Sequence, residues 1–135
     1  MRQIDRHSRL SALWLFILLN ILFRDIHQFV MPGFLESFQD GSFNGVAITE
    51  ELMLLGGIVV SVPIGMVLAS LVLVRRVLRP LTGLAAALTT VTMVPPAPRD
   101  LDDLYHLTLQ LGAMAAIVWS AWRWPADAAA AEAVR

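Results

Sequence analysis

From Leu10 to Met31 the chain is apolar almost without interruption, LSALWLFILLNILF running into Arg24-Asp25-Ile26-His27-Gln28 ahead of Pro32-Gly33. These 22 residues span about 33 Å at the helical rise, enough for a bilayer core of about 30 Å, so the pattern predicts a first membrane helix over 10–31. Phe34, Leu35 and Phe38 then recur at helical spacing opposite Glu36, Gln39 and Asp40, which predicts a short helix lying in the interface. Gly41, Asn44 and Gly45 supply the turn back. A second helix is expected over 49–74, capped by Thr49, with Glu50 and Glu51 in its first turn and Pro63 in mid-span.

Arg75, Arg76 and Arg79 read as a loop, with Pro80 opening a third helix over 80–94. Its apolar part, Leu81 to Val94, is only 14 residues and carries Thr82, Thr89, Thr90 and Thr92. It makes a span only with neighbours to shield the threonines, whose hydroxyls can bond back to helix carbonyls. Pro95-Pro96-Ala97-Pro98 forms a stiff connector, Asp100 and Asp103 resemble a capping pair, and a fourth helix is expected over 101–124 before Pro125. The fold expected is an all-α integral membrane four-helix bundle over 10–124, with a cytoplasmic lead over 1–9 and an alanine-rich cytoplasmic tail over 125–135. The lead, with Arg2, Arg6 and Arg9, looks like the start of a signal peptide, but no small-x-small cleavage site follows, so the first helix is read as retained.

Two stripes of small residues recur every four positions: Gly57, Ser61, Gly65 and Ala69 on helix two, and Thr108, Gly112, Ala116 and Ser120 on helix four. Such stripes let helices approach closely in lipid, so helices two and four are expected to be tightly packed elements.

Composition agrees with this pattern. The 135 residues are 57% hydrophobic and 16% charged, with mean hydropathy +0.67, too apolar for an ordinary soluble domain. A net charge of -1 gives no field for nucleic acid, and the absence of cysteine excludes disulfides, thiol redox cycling and covalent haem attachment. Arginines gather at the N-terminus, at 75–79 and at Arg123, while the other connections carry Glu36, Asp40, Glu50, Glu51, Asp100, Asp102 and Asp103. By the positive-inside rule both termini are cytoplasmic, and Trp14, Trp119, Trp122 and Trp124 should form an inner interfacial belt.

Leu10-Ser11-Ala12-Leu13-Trp14, Pro32-Gly33-Phe34-Leu35-Glu36 and Trp119-Ser120-Ala121-Trp122-Arg123-Trp124 together resemble an uncharacterised family of small bacterial four-span membrane proteins, a domain of unknown function. More loosely, the architecture resembles the DoxX-like proteins. The resemblance implies residence in the bacterial inner membrane and brings no assigned reaction. Members of the group often carry an acid in the outer half of helix four, where this chain has Gln110; the departure weakens a proton relay.

The polar residues inside the spans are the candidate chemistry, because ionisable groups in lipid are costly. Asn20, Arg24 and His27 share one face of helix one, and Asp103, His106 and Gln110 share one face of helix four. Counting the helical rise brings His27 level with His106 and Arg24 level with Gln110, with Glu51 able to join them. One reading is a polar pocket in the outer half, in which Arg24 holds an anion. The other is a structural collar in which Arg24 pairs with Glu51 or Asp103 and locks the helix ends. A histidine metal site or a haem lacks supporting spacing; no catalytic set, metal site or cofactor is assigned.

Three function classes follow: a non-enzymatic accessory or structural unit, with lipid and a protein partner or second copy around it; a small-solute or lipophile binder or transporter; and a quinone- or haem-linked redox protein.

Overall fold

A computed structural model describes residues 5–43, 45–94 and 100–124. It is helical almost throughout: α1 (Arg6–Phe29), α2 (Phe34–Gln39), α3 (Glu50–Val72), α4 (Arg75–Met93) and α5 (Leu101–Trp122). A two-stranded hairpin, β1 (Ser42–Phe43) and β2 (Val46–Ala47), links α2 to α3 and was not anticipated. Gly41 precedes it and Gly45 lies between its strands, with φ of 76° and 79°, a backbone region open to glycine.

Local chemistry sets the helix bounds. The Asp5 carboxylate accepts from the Ser8 backbone N–H at 2.8 Å and from its hydroxyl at 2.9 Å, so α1 begins inside the expected polar lead. Its last helical residue is Phe29, two short of the expected Met31. Thr49 caps α3 by accepting from Leu52 N–H, and Asp100 caps α5 by accepting from Asp103 N–H at 2.7 Å, as their sequence patterns predict.

The third long helix differs most from expectation. Only Leu73 and Val74 separate α3 from α4, so Arg75, Arg76 and Arg79 lie on the helix and Pro80 sits in its second turn. Proline there removes one helix bond, to the carbonyl of Arg76, near a helix end where exposed polar partners are available. The consequence bears on spanning. Among the described residues three helices, α1, α3 and α5, are long and apolar enough to cross a membrane, not four; the arginines of α4 dilute its apolar stretch.

The long helices run alternately. Arg6 Nη1 donates to the Arg123 carbonyl (3.2 Å), His7 Nδ1 to the Ser70 carbonyl (2.7 Å) and Arg75 Nη2 to the Trp124 carbonyl (2.6 Å). The starts of α1 and α4 therefore meet the ends of α3 and α5. Arg6 and Arg75 also place positive charge against a helix C-terminus, where the dipole favours it. α1 and α4 each pack on both α3 and α5, which makes α3 and α5 diagonal partners. The small-residue stripes expected to make helices two and four tightly packed elements lie largely off these contacts. Gly57, Ser61, Gly65, Thr108 and Gly112 are exposed, and Ala69, Ala116 and Ser120 are half-buried. A Cβ at Gly57, Gly65 or Gly112 would meet nothing within 4 Å.

Inside the ring Leu10, Trp14 and Ile17 of α1 meet Met66, Leu78, Ala85, Met114 and Ile117. Trp14 is wholly buried and Trp124 nearly so, leaving Trp119 and Trp122 as the exposed tryptophans of the expected belt. Outward the surface is greasy: Leu15, Leu19, Leu22, Phe23 and Ile26 on α1 and Leu54, Leu55, Ile58, Ile64 and Leu68 on α3 are all exposed.

Candidate functional site

At the end opposite the arginines, α1 finishes, α5 begins and α4 delivers its last carbonyls. Arg24 lies on the inward stripe of α1 with Ile17 and Asn20, one side chain per turn. It is 8% exposed. Its Nε donates to Asp103 Oδ1 at 2.8 Å and its Nη1 donates to the Met93 carbonyl at 3.3 Å. Asp103, 7% exposed, occupies the first turn of α5, where the helix dipole favours a carboxylate. One guanidinium thus joins three helices: α1, the C-terminus of α4 and the N-terminus of α5.

One turn deeper, Asn20 Nδ2 donates to the Phe16 carbonyl at 3.0 Å, which orients Oδ1 towards α5. His106 Nδ1 lies 3.0 Å from that oxygen, and since a carbonyl oxygen only accepts, Nδ1 carries the proton. His106 Nε2 then faces Asp102 Oδ1 at 3.7 Å, and His27 Nδ1 faces Asp102 Oδ2, also at 3.7 Å. The two histidines are brought to one carboxylate rather than to each other.

These contacts correct the expected register. Arg24 is level with Asp103, not Gln110, which lies seven residues farther along α5, about 10 Å deeper. The ion pair sets this alignment, because either charge buried without the other would be costly. Gln110 is 1% exposed and its Oε1 has no hydrogen-bond partner. Glu51 stays exposed in the first turn of α3 and joins no ion pair among the described residues. Asp102, which the sequence placed only among the acids of the outer connections, is the residue missed. Its i, i+4 relation to His106 was the available signal. The Met93 carbonyl left no signal in the sequence.

Chemically, the arrangement is a set of inter-helix contacts centred on the Arg24–Asp103 ion pair. Among the described residues no group of three or more His, Asp or Glu side chains is placed to hold a metal ion. A second feature lies between α3 and α4: an apolar groove of about 450 Å³, walled by Ser61, Gly65 and Ala69 on one side and Leu81, Leu84 and Leu88 on the other. Part of the helix-two stripe therefore lines a groove.

No curated protein and no solved structure matches the chain. A family model does match, over residues 2–127, nearly the whole length. The chain belongs to the Family of unknown function (DUF6326).

Proposed function

We propose that this protein is a non-enzymatic integral membrane protein of the bacterial inner membrane, an accessory or structural unit whose four long helices form one bundle in the bilayer with both termini cytoplasmic. The observation that carries the reading is the commitment of Arg24 to Asp103 and the Met93 carbonyl. Two of its five N–H donors are spent on these partners and the group is 8% exposed, an arrangement that suits tying three helix ends together better than holding an anionic substrate. The collar around Asn20, Asp102 and His106 extends the same lock one turn inward.

Membrane residence is supported by the apolar outer face and by charge separated end from end. Arg6, Arg9, Arg75, Arg76, Arg79 and Arg123 belong to one end; Glu36, Asp40, Glu50, Glu51, Asp100, Asp102 and Asp103 belong to the other. α4 is 19 residues long, about 28 Å, and packs antiparallel on both α3 and α5, which supports it as a fourth span despite its polar start. Reporter fusions after Trp124 and between α2 and α3 test the topology. A cytoplasmic C-terminus with an external α2–α3 connection is expected, and an external C-terminus overturns the four-span bundle.

A second reading, binding of a lipophile, is favoured by the α3–α4 groove. The redox reading has no comparable support, since both histidines face Asp102.

A further inference from the structure

We propose that the α3–α4 groove holds an acyl chain of an anionic phospholipid whose phosphate is met by Arg76. The inference rests on the membrane-embedded reading above. The groove is apolar on both walls, and its one hydroxyl is already used: Ser61 Oγ donates to the Gly57 carbonyl at 2.8 Å. Met66 and Ala85, both buried, close its floor. A flexible hydrocarbon chain suits such a wall, because it asks for no hydrogen bond.

Charge complementarity identifies the head group. Three arginines occupy the opening turns of α4, and two are engaged. Arg75 donates to the Trp124 carbonyl, and the Arg79 guanidinium lies 5.1 Å from the Trp122 ring centroid. Arg76 is exposed and has no partner among the described residues. On the helix surface it heads the i, i+4 row that continues through Pro80 to Leu84 and Leu88, so the row runs from a free guanidinium into the groove wall. The only described acid at this end is Asp5, held by Ser8. A phosphodiester complements the charge of the Arg76 guanidinium.

A second copy of the chain suits the groove less well. A symmetric pair through this face would set two free Arg76 side chains in the same leaflet, where their charges repel.

The test is native mass spectrometry of the full chain in mild detergent, titrated with dioleoylphosphatidylglycerol or with dioleoylphosphatidylcholine. The wild type is expected to retain one phosphatidylglycerol in preference to phosphatidylcholine. Arg76→Gln should cut that preference about fivefold, the scale of one arginine at an anionic membrane surface. Gly65→Phe, at a position where a Cβ meets nothing within 4 Å, should fill the groove and abolish retention of either lipid. Gly112→Phe, equally unhindered on α5, should leave it intact. If Gly65→Phe loses helicity, Ser61→Phe reads the same groove. Retention unchanged in the groove-filled variant overturns the proposal, as does a wild-type dimer that the variant dissociates. A folded chain that inserts into bilayers yet holds no lipid overturns the groove assignment alone; a chain that stays out of bilayers overturns the membrane reading beneath it.

Discussion

Replacing Arg24 by methionine removes the charge that joins α1, α4 and α5 while keeping a long apolar stem. The Asp103 carboxylate is then 7% exposed without its counter-ion, and the Met93 carbonyl loses its donor. Breaking a buried pair by deleting one partner costs about 3–5 kcal/mol. The lower bound applies, because the N-terminus of α5 still favours a carboxylate in its first turn, so Arg24→Met should cost about 3 kcal/mol. Asp103→Leu should cost less, about 2 kcal/mol, since Arg24 keeps its bond to Met93 and its stem can carry the charge towards the head groups. An apolar pair can substitute for a buried ion pair, so the double variant should fall within about 2 kcal/mol of wild type, a coupling of at least about 3 kcal/mol. Unfolding in mixed micelles of dodecyl maltoside and increasing SDS, followed by helical circular dichroism, measures all four corners of the cycle. Single variants each within about 0.5 kcal/mol of wild type, with additive effects, would refute the lock and make Arg24 a surface anchor.

Asn20→Leu should cost about 0.6 kcal/mol in the same titration, the mean for a hydrogen bond between membrane helices; a loss as large as that of Arg24→Met would move the centre of the lock to Asn20 and His106. The two Ser8 hydrogen bonds hold the Asp5 carboxyl below its ordinary value, so its cap contributes fully above the unfolded value of 3.8 and is lost as pH falls through the lower folded value. Amide protection at the start of α1, taken relative to the intrinsic exchange rate at each pH, should accordingly fall below about pH 4, and Asp5→Asn should remove that fall; protection insensitive to both would exclude the cap. Gly33 opens α2 with φ of 80°, so Gly33→Ala should cost about 1 kcal/mol through backbone strain alone; a neutral variant in thermal melts would mean that the α1–α2 turn adopts another conformation.

The starts of α3 and α5 were legible because capping is local: Thr49 and Asp100 each bond to a backbone N–H three residues on. The short helix after Pro32-Gly33 was legible from apolar spacing, and its Phe34 and Phe38 rings do pack with Phe29. The start of α4 was misread because proline more often opens a helix than sits in its second turn. The choice is made by Leu73 and Val74, which adopt extended backbone and start the helix at Arg75. Candidate polar residues were found because ionisable side chains stand out in apolar segments, and Asp103 was one of the two partners expected for Arg24; the choice of Asp103 over Glu51, and the meeting of both histidines with Asp102, were not legible. Counting rise from assumed ends compounds an error at each boundary, and a misplacement of one turn exchanges Asp103 for His106, one of two turns for Gln110.

By itself, then, the sequence determined what period, composition and capping can decide: helical segments, apolar outer faces, acids and arginines sorted to opposite ends. The tertiary structure decided which faces meet. It made α3 and α5 diagonal, turned the small residues of both outward, buried Trp14, gave Arg24 to Asp103 and set Asp102 between two histidines. Those outcomes depend on contacts between residues as many as 117 positions apart, chosen by the joint packing of four helices and by the cost of leaving a buried charge alone; no local pattern along the chain encodes that choice.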